Sequence, residues 1–81
     1  MQEMKLSEMI PGDAGVVVRL APSVLSAKLA EMGMLKGKKV TVLFQAPFNG
    51  PMAVDVDGYV LSLRMEEAGL IELEKNVEAE G

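Results

Sequence analysis

The sequence contains no cysteine, no histidine and no tryptophan, and its aromatic residues are two phenylalanines and one tyrosine. The absence of cysteine excludes disulfides, thiolate zinc sites and thiol nucleophiles. The absence of histidine removes the commonest general base and metal ligand, so only oxygen donors and methionine sulfur remain to hold a metal. These absences predict a non-enzymatic protein without a tightly bound cofactor, and they leave open only weak binding of a divalent transition metal.

The chain also has few basic residues and no long apolar run. Its 8 lysines and arginines against 12 acidic residues give a formal charge of -4, which argues against nucleic-acid binding, because such binding needs cations to neutralise phosphates. No apolar run approaches the roughly 18 to 20 residues that span a bilayer, and the first residues lack the features of a signal peptide. The sequence therefore predicts a cytoplasmic protein that neither binds nucleic acid nor inserts in a membrane.

Length and composition predict a single domain. A hydrophobic content of 49% with 25% charged residues is typical of a globular chain, and 81 residues are too few for two independent cores. We expect a folded domain at residues 1–75 and a disordered acidic tail at residues 76–81. Seven methionines are expected to fill gaps in a core that is poor in aromatic rings.

The first half of the chain predicts a strand followed by a short helix. The β-branched run at residues 14–21 is typical of a strand. Ser23 is the expected N-cap of a helix at residues 24–32, and Gly33 is the expected residue of positive φ at its end. Apolar residues at i, i+4 and i+7 give this helix one apolar stripe, formed by Leu25, Leu29 and Met32.

The middle of the chain predicts a strand and then a hairpin. Residues 39–45 alternate in hydrophobicity, as do residues 52–57. Asp57-Gly58 is a strong signal for a two-residue hairpin turn, and that turn sets the register of the hairpin. The expected cross-strand pairs are Val56 with Tyr59, Val54 with Leu61, and Met52 with Leu63. The side chains of the preceding strand that are expected to face the core are Val40, Val42 and Phe44.

The end of the chain predicts a helical turn at residues 65–69 and a last strand at residues 70–75, with Ile71 and Leu73 facing inward. The predicted fold is therefore mainly β: a small barrel of five strands, with one short α-helix after the first strand and a helical turn before the last.

Four acidic residues are the candidate metal ligands. DVDG at residues 55–58 resembles the start of a calcium loop, but its other ligands are missing. Glu66 and Glu67 are adjacent on a helical turn, so their side chains diverge. A metal-binding or metal-sensing module would have to use Asp55, Asp57, Glu66 and Glu67, and we expect Asp55 and Asp57 to lie on a solvated turn instead. A basic cluster of Lys36, Lys38 and Lys39 is likewise expected to be a solvated turn.

Four segments occur in order along nearly the whole chain: Leu6 with the turn Pro11-Gly12-Asp13, KLAEMGMLKG (residues 28–37), the loop Ala46-Pro47...Gly50-Pro51, and LSLRMEEAGLIEL (residues 61–73). In this order they resemble the FeoA-type domains of bacterial and archaeal ferrous iron uptake. Lys28 stands where that family usually has arginine, and Met32 and Met34 where it has leucine. The resemblance implies an SH3-like barrel, which agrees with the strands predicted above.

The resemblance also implies an accessory function at the cytoplasmic region of FeoB, the membrane Fe(II) transporter with a GTPase domain. At the level of the family the resemblance also implies transition-metal binding, which the residues present support poorly. We expect a protein-interaction module, and the candidate partner-binding residues are Pro47, Phe48, Asn49, Gly50 and Pro51, followed by Lys28 and Glu31.

Three functions stay open: an interaction module, the metal-binding module described above, and direct activation of the GTPase. Direct activation would need Arg19 or Arg64 as an arginine finger. Separately, exposed apolar surface is covered either by a partner or by a homo-oligomer. Phe48 either folds back over the mouth of the barrel or is displayed to a partner.

Overall fold

The computed structural model describes residues 2–75, which form a six-stranded antiparallel sheet with little helix. The predicted tail at residues 76–81 lies outside the described residues. The strands are β1 (Glu3–Lys5), β2 (Ala14–Leu20), β3 (Lys39–Gln45), β4 (Met52–Val56), β5 (Tyr59–Leu63) and β6 (Ile71–Lys75). The helices are a 3₁₀ turn at Leu6–Glu8, α1 (Ser26–Glu31) and α2 (Met65–Ala68). Within residues 2–75, every helix is too short and too polar to cross a bilayer.

The hydrogen-bonded order of the sheet is β1-β6-β2-β3-β4-β5, so β1 and β5 are its edges. All five predicted strands are present, and β1 is an additional one. Glu3–Lys5 is short and carries one apolar residue between two charges, so it has no alternation that predicts a strand. It is a strand because Met4 pairs with Leu73 of β6.

The predicted helix is shorter at its start than expected. Ser23 Oγ accepts a hydrogen bond from the Leu25 N–H at 3.1 Å, and the Ser23 carbonyl accepts one from the Ser26 N–H at 3.1 Å. Ser23 therefore closes a turn before α1, and the prediction that it caps the helix was wrong: the residue at the cap is Leu25, which has no capping side chain. Gly33 has a φ of 101°, as expected for the residue that ends the helix.

The β4–β5 hairpin has the predicted register. Val56 pairs with Tyr59, Val54 with Leu61, and Met52 with Leu63. Asp57 and Gly58 have φ values of 53° and 86°, as the type I′ turn of a two-residue hairpin requires. The inward residues of β4 are buried, as is Leu63 of β5, and local turn chemistry and hydrophobic alternation thus agree.

The core contains no aromatic side chain among the described residues. It is built from aliphatic residues and methionine, and its largest fully buried members are Leu6, Leu29, Met34, Met52, Leu63, Ile71 and Leu73. All three aromatic rings of the chain lie at the surface, since Phe48 is 99% exposed, Tyr59 74% and Phe44 58%. The expectation that methionines fill the core is confirmed by Met9, Met34 and Met52.

The prediction that Phe44 faces the core was wrong. Val42 pairs with Val54, but Phe44 pairs with Ala53, so Leu43 is an extra residue in β3. Such a β-bulge reverses the alternation of the residues that follow it. Leu43 and Phe44 are therefore both exposed, and β3 carries two apolar side chains on its outer surface just before the next loop.

Candidate functional site

The loop between β3 and β4, residues 46–51, is a closed and hydrogen-bonded turn, here called the proline loop. The Ala46 N–H donates to the Pro51 carbonyl at 3.0 Å, and the Gly50 N–H donates to the Pro47 carbonyl at 3.1 Å. The two residues between Pro47 and Gly50 are Phe48 and Asn49, with φ values of 60° and 59°. Positive φ at both central residues is the geometry of a type I′ turn.

Gln45, directly before the proline loop, and Gly50, within it, keep the loop closed. The Gln45 side-chain Nε2 donates to the carbonyls of Gly50 at 2.8 Å and of Ala46 at 3.1 Å. At Gly50, a Cβ atom would lie 2.8 Å from the Ala46 Cβ, which is closer than non-bonded atoms approach. The absent side chain of Gly50 therefore permits the tight packing of the loop. Sequence reasoning did not identify Gln45, and the signal that could have found it is an amide placed directly before a proline-rich turn.

The aromatic ring of Phe48 stands at the tip of this turn. Its side chain is 99% exposed, so burial does not compensate for its backbone conformation. A left-handed conformation costs a non-glycine residue about 1 to 2 kcal/mol. Strained residues of this kind cluster at functional sites. Phe48 is thus displayed away from the protein and does not cover the core.

A cleft connects the proline loop to the start of α2. Its volume is about 460 Å³, and it is lined by Asn49, Pro51, Arg64, Met65 and Glu66. Arg64 is exposed and forms no ion pair within residues 2–75. The surface beside the loop therefore offers one cation, one carboxylate and the apolar side chain of Met65.

Glu67 anchors α2 behind this cleft. It is 4% exposed, and its two carboxylate oxygens have separate donors: the Lys28 Nζ reaches Oε2 at 2.8 Å, and the Arg64 N–H reaches Oε1 at 2.8 Å. These bonds favour the charged carboxylate. The pKa of Glu67 is lowered, mainly by the hydrogen bond from Lys28 and next by the one from the Arg64 backbone, although burial acts to raise it.

The FeoA domain family model matches residues 4–75 of this chain. The chain belongs to the FeoA family. A curated relative, the Fe(2+) transport protein A/Fe(2+) transporter FeoB fusion protein of Porphyromonas gingivalis, is 40% identical over 72 residues, which cover 88% of this chain. The chain spans only 8% of the length of that relative.

Solved FeoA structures have the same fold. A FeoA-like protein from Clostridium acetobutylicum is 28% identical with a TM-score of 0.88, and the match covers 100% of this chain and 95% of that one. FeoA of Stenotrophomonas maltophilia, solved in complex with zinc and described as a procaryotic SH3 domain protein, is 26% identical with a TM-score of 0.77, covering 88% and 89% of the two chains. The predicted SH3-like fold is thereby confirmed.

In this FeoA-family chain, Lys28 and Glu31 face different surroundings. Lys28 reaches across to Glu67 of α2, next to the cleft of the proline loop. Glu31 instead lines a second cleft of about 420 Å³ between α1 and the tip of the β4–β5 hairpin. Lys28 thus adjoins the proline-loop surface through Glu67, whereas Glu31 contributes to a separate one.

The four candidate metal ligands are engaged in other contacts or lie apart. Asp55 Oδ1 accepts the Gly58 N–H at 3.1 Å, and Asp57 Oδ2 pairs with the Lys38 Nζ at 2.6 Å. Glu67 is held by Lys28, and Glu66 lines the cleft of the proline loop. Within residues 2–75 there is no group of three or more histidine, cysteine, aspartate or glutamate side chains suited to a metal ion. The donor set of the described residues therefore does not fit the zinc of the Stenotrophomonas relative.

Of the two arginines named as arginine-finger candidates, Arg19 is engaged by acidic residues. Its Nε lies 2.6 Å from Glu72 Oε1 and its Nη2 lies 2.7 Å from Glu3 Oε1. These pairs tie β2 to the adjacent β6 through Glu72 and to β1, the next strand beyond β6, through Glu3. Arg64 is the better placed of the two for contact with another protein.

Proposed function

We propose that this chain is a non-enzymatic accessory domain of ferrous iron uptake that docks through the proline loop on the cytoplasmic region of FeoB. Membership of the FeoA family supports a function in Fe(II) transport. The fusion of a related domain to FeoB in the Porphyromonas protein supports FeoB as the partner, because a fusion keeps both domains in one molecule at high effective concentration.

The observation that carries the proposal is the display of Phe48. An aromatic side chain on a rigid turn loses little conformational freedom on binding, so most of its apolar contact contributes to affinity. Aromatic residues are enriched in the centres of protein interfaces. Phe48 is fully exposed and has a backbone conformation that costs stability. Insertion of its ring into an apolar pocket of a partner would explain why phenylalanine occupies this position.

The surface around the loop supplies polar contacts and more apolar area. Phe44, at the end of β3, is exposed four residues before Phe48. Arg64 and Glu66 line the adjoining cleft. We assign the apolar anchor to Phe48 and assign orientation of the partner to these charged side chains, which matches the usual division of an interface into an apolar centre and a polar rim.

A binding titration with the cytoplasmic region of FeoB from the same organism tests the proposal. Phe48→Ala should weaken binding by about tenfold or more, as expected for an interface anchor, without unfolding the domain. Val24→Ala is the matched control, because Val24 is also a nearly fully exposed apolar residue but lies before α1. Equal affinities of the wild type and Phe48→Ala would contradict the assignment of the site.

Metal binding through Asp55, Asp57, Glu66 and Glu67 is the alternative function. The contacts made by Asp57 and Glu67 mean that a metal would have to displace lysine ammonium groups. Calorimetric titration with Fe(II), Mn(II) and Zn(II) tests this alternative. A site tighter than about 1 mM that is lost in Asp57→Asn would favour it over the interaction module.

A further inference from the structure

The outer edge of β5 is unprotected. β5 is the last strand in the order of the sheet, and its sequence is YVLSL. Proteins protect edge strands with lysine, proline, bulges or a covering element, because unpaired backbone groups bind other strands. β5 has no lysine or proline, its pairing with β4 is regular, and Tyr59 and Val60 are exposed.

The hairpin register determines which backbone groups of β5 are free. A two-residue turn makes Val56 and Tyr59 a hydrogen-bonded pair, and such pairs then alternate with non-hydrogen-bonded ones. Val60 and Ser62 therefore lie in non-hydrogen-bonded pairs with Asp55 and Ala53. Their N–H and C=O groups point away from β4, and within residues 2–75 no other hydrogen bond to them is found.

The free row ends at Arg64. The Arg64 N–H donates to Glu67 Oε1, and the Arg64 carbonyl accepts from the Glu67 and Ala68 N–H groups. A strand that pairs with this edge therefore has two residues of β5 to bond, Val60 and Ser62, and it must be short.

We propose that β5 pairs with β5 of a second copy of this chain, antiparallel and centred on Leu61. In this register Val60 of each copy lies opposite Ser62 of the other, so both residues with free backbone groups bond each other. Leu61 lies opposite its own counterpart in a non-hydrogen-bonded pair. Registers centred on Val60 or on Ser62 would each leave some of these groups without a partner.

Charge complementarity favours a second copy over an unrelated strand. Centring on Leu61 places Arg64 of one copy opposite Gly58 of the other, next to Asp57. Arg64 is exposed and forms no ion pair within the described residues. Asp57 at the hairpin tip is paired with Lys38 through its Oδ2, so a contact with Arg64 of the second copy would use its other carboxylate oxygen, Oδ1. The two-fold symmetry repeats this contact at both ends of the paired strands. Neither Phe48 nor Phe44 takes part, but Arg64 also lines the cleft of the proposed FeoB site, so the two surfaces meet at Arg64.

Cysteine cross-linking tests the register directly, because the natural chain has no cysteine. Residues facing each other in a non-hydrogen-bonded pair have Cα atoms about 4.5 Å apart, within the roughly 4.4 to 6.8 Å of a disulfide. In the proposed dimer, Leu61→Cys should form a covalent dimer under mild oxidation. Val60→Cys and Ser62→Cys should each cross-link poorly alone, because an offset of two residues places identical positions about 9 Å apart.

A mixture of two single-cysteine variants tests the same register without altering Leu61, which is half-buried. An equimolar mixture of Val60→Cys and Ser62→Cys should yield mainly the mixed covalent dimer, since these positions face each other. Val24→Cys, at an exposed position away from the edge, reports the level of random collision. Cross-linking of Val60→Cys or Ser62→Cys with itself above that level would overturn the register.

Sedimentation of the cysteine-free chain tests the association itself. The wild type should change from monomer to dimer over roughly 10 µM to 1 mM, the range of weak specific complexes. Ser62→Lys places a charge on the edge and should raise the dissociation constant about tenfold or more, with thermal unfolding at low concentration unchanged. A wild type that remains monomeric at about 1 mM overturns the proposal.

Discussion

The ammonium group of Lys28 lies 2.8 Å from the buried carboxylate of Glu67, and this pair joins α1 to α2 across 39 positions of sequence. The other oxygen of Glu67 is bonded to the Arg64 backbone. One carboxylate thus holds the end of β5, the start of α2 and the middle of α1 together. The cleft beside the proline loop depends on this arrangement, since Arg64 and Glu66 line it.

Removing the amine should destabilise the domain modestly. Lys28→Met keeps the aliphatic part of the side chain but leaves Glu67 Oε2 without its charged donor. Because Lys28 is 59% exposed, solvent screens the pair, and we expect a loss of about 1 kcal/mol in the free energy of unfolding. Urea denaturation measures this loss. Lys28→Arg is the control, because it keeps a charged donor for Glu67. A loss of stability in Lys28→Arg as large as that in Lys28→Met would contradict this account of the contact.

The lowered pKa of Glu67 predicts the pH dependence of stability. Because the folded state binds the proton less tightly than the unfolded state, the stabilisation is complete above the ordinary glutamate value of 4.5. It is lost as the pH falls through the lower pKa of the folded protein. Thermal unfolding of the wild type and Glu67→Gln between pH 7 and pH 3 should therefore show a difference that shrinks in the acidic part of the range. A difference that grows on acidification would contradict this assignment.

Replacing Phe48 by glycine should stabilise the isolated domain. The ring makes no buried contact, and glycine adopts a φ of 60° without the steric cost borne by phenylalanine. We expect a gain of up to about 1 kcal/mol, measured by chemical denaturation, together with weaker binding of FeoB. A stabilising substitution that weakens function is typical of a strained site. Loss of stability in Phe48→Gly would show that the ring contacts the fold.

The Gln45 side chain should act on the loop as a positioning residue. Gln45→Ala removes two hydrogen bonds to carbonyls of the loop, so the loop should become more mobile while Phe48 remains. We expect faster hydrogen exchange at the Gly50 amide and a loss of stability of about 1 kcal/mol. FeoB affinity should fall less than in Phe48→Ala. Unchanged exchange at Gly50 would show that the backbone bonds alone define the turn.

The β4–β5 hairpin could be predicted from sequence to the level of individual pairs, because Asp57-Gly58 and the alternation on both arms require the same register. The outward orientation of Phe44 could not be predicted from sequence. The bulge at Leu43 depends on how β3 and β4 pair along their whole length, and no local residue pattern indicates it. β1 was missed for a related reason, since only its pairing with β6 makes it a strand.

The sequence located the proline loop but not the geometry of its turn. The residues of positive φ in the proline loop are Phe48 and Asn49, which the residue types of the loop do not indicate. Gly50 is used instead for close approach to Ala46. The contribution of Gln45 and the Lys28–Glu67 pair require three-dimensional proximity, which residue types alone do not supply.

The location of every aromatic ring at the surface has a spectroscopic consequence. With no ring packed among the buried methyl groups of residues 2–75, the methyl proton signals of the core should lack the large upfield ring-current shifts that usually mark a folded protein in a one-dimensional NMR spectrum. Tyr59 is the single tyrosine of a chain without tryptophan. Its emission should therefore report on the environment of one strand edge, and burial of that edge would be visible in the native protein without an added label.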